Sequence, residues 1–257
     1  MLLKLLKYDF RAMWKQFSLI WGAALALSLV NRFTLDGQNS TSLVGEHISG
    51  WMMFAFAAVV TAMFVIAILF VVQRFSRGLL GNEGYLMHTL PVRPWQLVTS
   101  KLICGTVTWV GCGVVALVSP ILMAPFDLHD LLQFPWGRAL WAFLKHPDTV
   151  LLVLEFCLLL FAAIILSISV MYLAMSVGHM VSRHRQLVSV AAFIGLYIVL
   201  TNFYTRAFSI KLIQHLLDLT TVNVYGTMLT AIATMLIPAA VFLAAVCWIL
   251  EHKLNLE

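Results

Sequence analysis

Few residues of this chain are of types that do chemistry, and most of them stand alone in apolar surroundings. Glu155 is the carboxylate that lies most clearly inside a long apolar run, residues 150–177. A charge inside a bilayer is costly, so an ionisable residue there is a functional candidate by default. Two interpretations stay open for Glu155: a place on a substrate path, or an anchor near the outer interface.

The histidines and serines form no pattern typical of a metal site or an active site. His179 and His184 lie five residues apart, which suits one helix face poorly, and no carboxylate or cysteine stands near them. The segment GHMVSRHRQ is therefore expected to be a basic turn without a metal. The spans hold neither HExxH nor GxSxG, which disfavours an enzyme working inside the membrane. We expect no catalytic residue and no directly bound cofactor.

The composition predicts that membrane-spanning helices carry these residues. Hydrophobic residues make up 62% of the chain and charged residues only 11%, whereas soluble domains carry roughly a quarter charged residues. Six apolar runs are long enough to cross a bilayer, where only a helix satisfies its own backbone. They are residues 17–33, 51–72, 97–120, 150–177, 187–205 and 228–250. The predicted fold is an all-α integral membrane protein with six transmembrane helices in one domain, 1–257.

The positive charges predict the orientation of these spans. Of the 16 lysines and arginines, five fall on one side: Arg32, Arg138, Lys145, Arg206 and Lys211. The others fall on the opposite side, together with both termini. Because cytoplasmic loops carry the excess of lysine and arginine, we expect both termini to be cytoplasmic.

The N-terminal stretch MLLKLLKYDFRAMWKQF is amphipathic. At 100° per residue, Lys4, Lys7, Arg11 and Lys15 fall within about 80° of one another. The opposite face is apolar and contains Leu3, Leu6, Phe10, Met13, Trp14 and Phe17. This sorting favours a helix over residues 1–16 that lies in the membrane plane, with its cations on anionic headgroups and Trp14 at the interface. The alternative is a cytosolic extension of the first span.

The segment 73–96 is too polar for lipid and too apolar for an ordinary solvated loop. Asn82 suits a helix N-cap and Glu83 a first turn, while Pro91 ends the helix and Pro94 suits the start of the next one. We predict a short rigid helix on the cytosolic side. Its apolar groups favour contact with a partner protein. A loop resting on lipid headgroups is the alternative.

Two stretches of the sequence resemble a known family. LLKYDFRAMWK near the start and LLGNEGYLMHTLPVRPWQLVTSKL after the second span are similar to the permease subunits of ATP-binding-cassette exporters, type-2 group. The resemblance implies that residues 1–16 form an elbow helix and that 206–227 dips back into the membrane from outside. It also implies a coupling helix that docks on an ATPase subunit through Asn82, Glu83, Tyr85, Leu86, Met87 and His88.

The same resemblance implies the partners and the location. A permease of this group pairs with a second copy or a sibling permease in the bacterial cytoplasmic membrane and is driven by separate ATPase subunits. The sequence has no GxxxxGK[ST] motif, so ATP and Mg are expected on the partner ATPase. The expected function is the membrane subunit of an ATP-driven exporter. A non-transporting membrane sensor or accessory protein is the alternative.

Overall fold

The computed structural model describes residues 2–36, 43–80, 94–123, 135–181, 184–209 and 224–252. Within these ranges the fold is helical and contains no strand. The helices are α1 (Leu2–Asp36), α2 (Leu43–Phe75), a π-helical turn (Ser76–Leu80), α3 (Pro94–Met123), α4 (Trp136–Lys145), α5 (Pro147–His179), α6 (Arg185–Ser209) and α7 (Val224–His252). The all-α prediction is confirmed.

Six of these helices are long and apolar enough to cross a membrane. Their apolar stretches are Leu5–Arg32, Gly50–Leu79, Pro94–Met123, Pro147–His179, Arg185–Arg206 and Met228–His252. Each of the six predicted spans overlaps one of them, so the predicted multi-pass membrane character is confirmed. The short helix α4, WGRALWAFLK, lies between the third and fourth predicted spans.

One continuous helix runs through the boundary predicted between an interfacial helix and the first span. We placed it after residue 16, but α1 continues unbroken through that point for 35 residues. The sequence contains no proline or glycine before Gly22, so nothing interrupts the helix hydrogen bonds there. A helix of this length measures about 50 Å, well beyond a hydrocarbon core of about 30 Å. Part of α1 therefore extends outside the core, as in the alternative of an extended first span.

The described chain forms two compact units. The first contains Met1–Val71 and Ile103–Trp141, and the second contains Val72–Leu102 and Ala142–Glu257. In the first unit, α1, α2 and α3 share a core made of Met13, Phe17, Ala24, Met63, Ala67, Cys104, Cys112 and Val115. Met13 and Phe17 are fully buried. The apolar face that was expected to meet lipid thus packs, at these two positions, inside the protein.

Helices α1 and α3 are held together by a close approach at Gly111. The Trp21 ring lies where a side chain at Gly111 would stand, and its Nε1–H donates to Cys112 Sγ at 3.4 Å. One turn away, Thr108 Oγ1 lies 2.7 Å from Met13 Sδ. A small residue thus lets an indole pack flat on the neighbouring helix, as is common between membrane helices.

In the second unit α5 is the central helix and packs against both α6 and α7. Leu166 and Val170 of α5 meet Ala239 of α7, and partly buried residues of α6 and α7 surround them. The Tyr204 hydroxyl of α6 donates to the carbonyl oxygen of Thr234 in α7 at 3.2 Å. The C-terminal half of α5 is therefore the core of this unit.

The contact at Gly111 predicts that a larger side chain at this position lowers the stability of the protein. Gly111→Ala should lower the thermal midpoint of the detergent-purified protein, because the new methyl group collides with the Trp21 ring and overpacking costs about 1–3 kcal/mol. Gly113→Ala, two residues along the same helix, meets nothing within 4 Å and should leave the midpoint unchanged or higher. Equal midpoints for the two variants would contradict the packing of α1 on α3.

Candidate functional site

The predicted docking segment lies between two described elements of the second unit. Asn82, Glu83, Tyr85, Leu86, Met87 and His88, and the coupling helix they were expected to form, fall outside the described residues. The chain is described up to the π-helical turn Ser76–Leu80 and again from Pro94, which opens α3 as predicted. The described part of the candidate site therefore consists of the two elements that flank this segment.

Phe75, the last residue of α2, packs against a buried residue of the second unit. Its ring stacks on Tyr172 of α5 with centroids 4.0 Å apart and an interplanar angle of 14°. Both side chains are buried, at 0% and 1% exposure. The π-helical turn that follows also contacts α5. Stacked aromatic pairs contribute about 0.5–1.5 kcal/mol beyond burial, so α2 and α5 are joined where the predicted docking segment begins.

Lys101 supports the other end of the segment. It lies in the second turn of α3, is 4% exposed, and packs its stem over Gly78 of the π-helical turn. A side-chain atom at Gly78 would stand 3.4 Å from Lys101 Cε. Lysine is rarely buried this far unless its ammonium has partners, and Lys101 does have interactions within the structure. In the charge count Lys101 is one of the positive residues on the side of the termini, and the sequence gives no sign of its burial.

A π-helical turn at this point is informative. Such turns are rare and frequently occur at functional sites, because the extra residue per turn costs hydrogen-bond geometry. Here it contains Gly78 and Leu79, both buried. Sequence patterns did not reveal the turn. They also did not reveal the contact between Phe75, in the polar segment 73–96, and Tyr172, in the fourth predicted span. The glycine before the polar segment was the one available signal.

The predicted membrane-interface residues share one face of α1. Lys7, Arg11 and Lys15 are exposed, and Trp14 is 55% exposed beside them. Lys4 lies in the first turns of the same helix, and its side chain is outside the description. The grouping of the three cations on one face is thus present, although the helix is not a separate element.

Glu155 lies in the N-terminal half of α5 and is partly buried. Its Oε2 is shielded from solvent and has no hydrogen-bond partner among the described residues. Neighbouring Leu154 and Phe156 are about half exposed, at 55% and 49%, as expected of a span surface. An unsatisfied buried polar atom needs an explanation, and both interpretations of Glu155 remain predictions.

The described residues on either side of the turn between α5 and α6 include both histidines once considered as metal ligands, His179 and His184. His179 Nδ1 lies 3.0 Å from the carbonyl oxygen of Met175 in its own helix. His184, which directly precedes the first residue of α6, Arg185, adopts a positive φ of 67°. Across the described ranges, no group of three or more His, Cys, Asp or Glu side chains could hold a metal ion.

A scan against protein-family models and searches of the curated proteins and of the solved structures gave no match for this chain.

Glu155 generates a stability prediction. Glu155→Leu should raise the thermal midpoint in detergent, because leaving a buried acceptor unsatisfied costs about 1–3 kcal/mol. Glu251→Leu in α7 is the matched control; Glu251 is exposed, so its replacement should change the midpoint little. A lower midpoint for Glu155→Leu would show that the carboxylate is satisfied and holds the fold together.

Proposed function

We propose that this chain is the membrane subunit of an ATP-driven exporter whose ATPase is a separate polypeptide. The observation that carries the proposal is the anchoring of the segment LLGNEGYLMHTLPV. Its first two residues, Leu79 and Leu80, belong to the π-helical turn, which contacts α5 next to the Phe75–Tyr172 stack. A force applied to a helix at Asn82–His88 would thus reach the core of the second unit within a few residues.

In the proposed mechanism this connection acts as a lever: movement of the docking segment is passed to α5. ATP binds the closed pair of ATPase subunits more tightly than the open pair, so its binding draws the two docking segments together. This difference in affinity supplies the free energy for the conformational change. The π-helical turn transmits the displacement to α5 through Phe75 and Tyr172. α5 carries Glu155 in its other half, so movement of this helix would also displace the one carboxylate proposed for the substrate path.

The proposed assembly rests on the resemblance to permease subunits of type-2 exporters, together with the membrane character and the charge distribution. Six apolar helices support a multi-pass protein, and the excess of lysine and arginine on one side supports cytoplasmic termini. We propose a second copy or a sibling permease as membrane partner and the bacterial cytoplasmic membrane as the location. ATP and Mg would be held by the ATPase, since this sequence has no GxxxxGK[ST] of its own.

The docking proposal predicts loss of the ATPase on a defined change. Glu83→Lys combined with Leu86→Asp should abolish copurification of a Walker-motif ATPase chain in mild detergent, because it reverses a charge and removes an apolar anchor. The matched control is Lys145→Glu with Leu144→Asp, which makes the same kinds of change at exposed residues of α4. That control should retain the ATPase in full.

Undiminished copurification by the docking variant would refute the docking assignment. A cysteine at position 82 that is labelled from outside intact cells would refute the orientation as well. If the ATPase copurifies but its hydrolysis is unaffected by this chain or by any transported compound, the accessory-protein alternative is favoured.

The lever generates a separate prediction. Tyr172→Leu should leave ATPase copurification intact and uncouple ATP hydrolysis from substrate movement, because it removes the stack that joins Phe75 to α5. Transport per ATP hydrolysed in proteoliposomes is the measurement. Tyr197→Leu is the control: Tyr197 is 62% exposed on α6 and should not affect coupling. Equal coupling in both variants would contradict the proposed transmission route.

A further inference from the structure

The N-terminal half of α1 carries two parallel rows of side chains with a groove between them. One row is apolar and the other basic, and in each row residues recur every four positions, the spacing that forms ridges along a helix. The groove has a volume of about 680 Å³, is open to the surroundings, and is lined by Leu6, Phe10 and Trp14 on one side and Lys7, Arg11 and Lys15 on the other. From Lys7 to Lys15 the basic row measures about 12 Å.

The packing of α1 fixes which way these rows point. Met13, Phe17 and Ala24 occupy the protein core, on the side of the helix opposite the three cations. The core therefore cannot cover the basic row, and Lys7, Arg11 and Lys15 are exposed. The surface that the protein leaves uncovered on this part of α1 is the basic row and the groove beside it.

The apolar row is built to remain partly uncovered. Phe10 and Trp14 stack with centroids 6.5 Å apart and an interplanar angle of 17°, which makes a continuous flat aromatic surface. Leu6 and Phe10 rest against the core, whereas Trp14 stays 55% exposed and turns an edge toward Trp21 at 6.2 Å. An aromatic surface beside a row of cations suits a ligand that is apolar at one end and anionic at the other.

We propose that this groove is a binding site for a single anionic phospholipid. The phosphate lies over Lys7, Arg11 and Lys15, and the upper part of one acyl chain lies along Leu6, Phe10 and Trp14. The charge of the basic row matches the headgroup, and the groove falls within the range of about 300–1,000 Å³ typical of small-molecule sites. A soluble anion would use only the basic row and leave the aromatic row bare, so the two-sided lining favours a lipid.

This inference does not rest on the proposed exporter function. It concerns the first unit alone and would hold for any membrane role of the chain. A lipid seated here would fix how deep α1 sits, since the helix is longer than the hydrocarbon core and has no break to mark its entry point.

The test measures the quenching of Trp14 by brominated lipids in nanodiscs that contain the full chain. Because the chain has 8 tryptophans, the Trp14 contribution is taken as the difference between wild type and Trp14→Phe. Brominated phosphatidylglycerol, as a minor component in phosphatidylcholine, should quench Trp14 more than brominated phosphatidylcholine at the same mole fraction. The triple variant K7Q/R11Q/K15Q should reduce this preference by at least about tenfold.

Two controls keep the result specific. The charge-conserving variant K7R/R11K/K15R should retain the preference, and K145Q in α4 should leave it unchanged. A preference that survives in K7Q/R11Q/K15Q would overturn the site. A preference abolished by excess inorganic phosphate at constant ionic strength would also overturn it, because the groove would then be a general anion site. Neither readout involves the ATPase, so failure here leaves the exporter proposal untouched.

Discussion

A long apolar helix has no water to satisfy its polar groups, and this fold depends on how each of those groups finds a partner. The backbone groups do so within the helices. Many hydroxyls do the same: Thr61 donates to the Ala57 carbonyl and Ser169 to the Ile165 carbonyl, at 2.8 and 2.7 Å. Asn202 likewise donates to the Ile198 carbonyl at 2.8 Å. Polar residues in the spans are thereby neutralised locally, one turn back along their own helix.

A few polar side chains do not bond to the backbone of their own helix, and these side chains mark the informative parts of the molecule. Tyr204 reaches across to α7 and ties two helices of the second unit together. Lys101 is buried beside the π-helical turn, where the polar segment after the second span begins. Glu155 keeps a shielded oxygen without a partner among the described residues. Because burying a polar or charged side chain is costly unless it finds a partner, these positions are where a functional requirement would be most visible.

The amphipathic pattern of α1 places one face of the helix against the protein core and leaves the other face exposed. Part of its apolar face is buried in the core of the first unit, where Trp21 packs on Gly111 and Met13 lies against Thr108. Its basic face and the groove beside it remain open. A hydrophobic stripe in a sequence shows only that those side chains prefer to be removed from water. The stripe does not distinguish a lipid surface from a protein surface, and only the packing shows that Met13 and Phe17 are buried inside the protein.

The sequence by itself determined the class of the fold. A chain this apolar, divided into six long runs, has no soluble alternative, and the position of each span follows from where charges and prolines interrupt the runs. Even the first residue of α3 was predictable, since Pro94 has no amide hydrogen to lose at a helix start. Only the tertiary structure decided which side chains meet. The stack of Phe75 on Tyr172, the close approach at Gly111 and the burial of Lys101 join residues far apart in sequence or separated by a turn of unusual geometry. Composition and periodicity describe one helix at a time, whereas these contacts depend on the distance and rotation between helices.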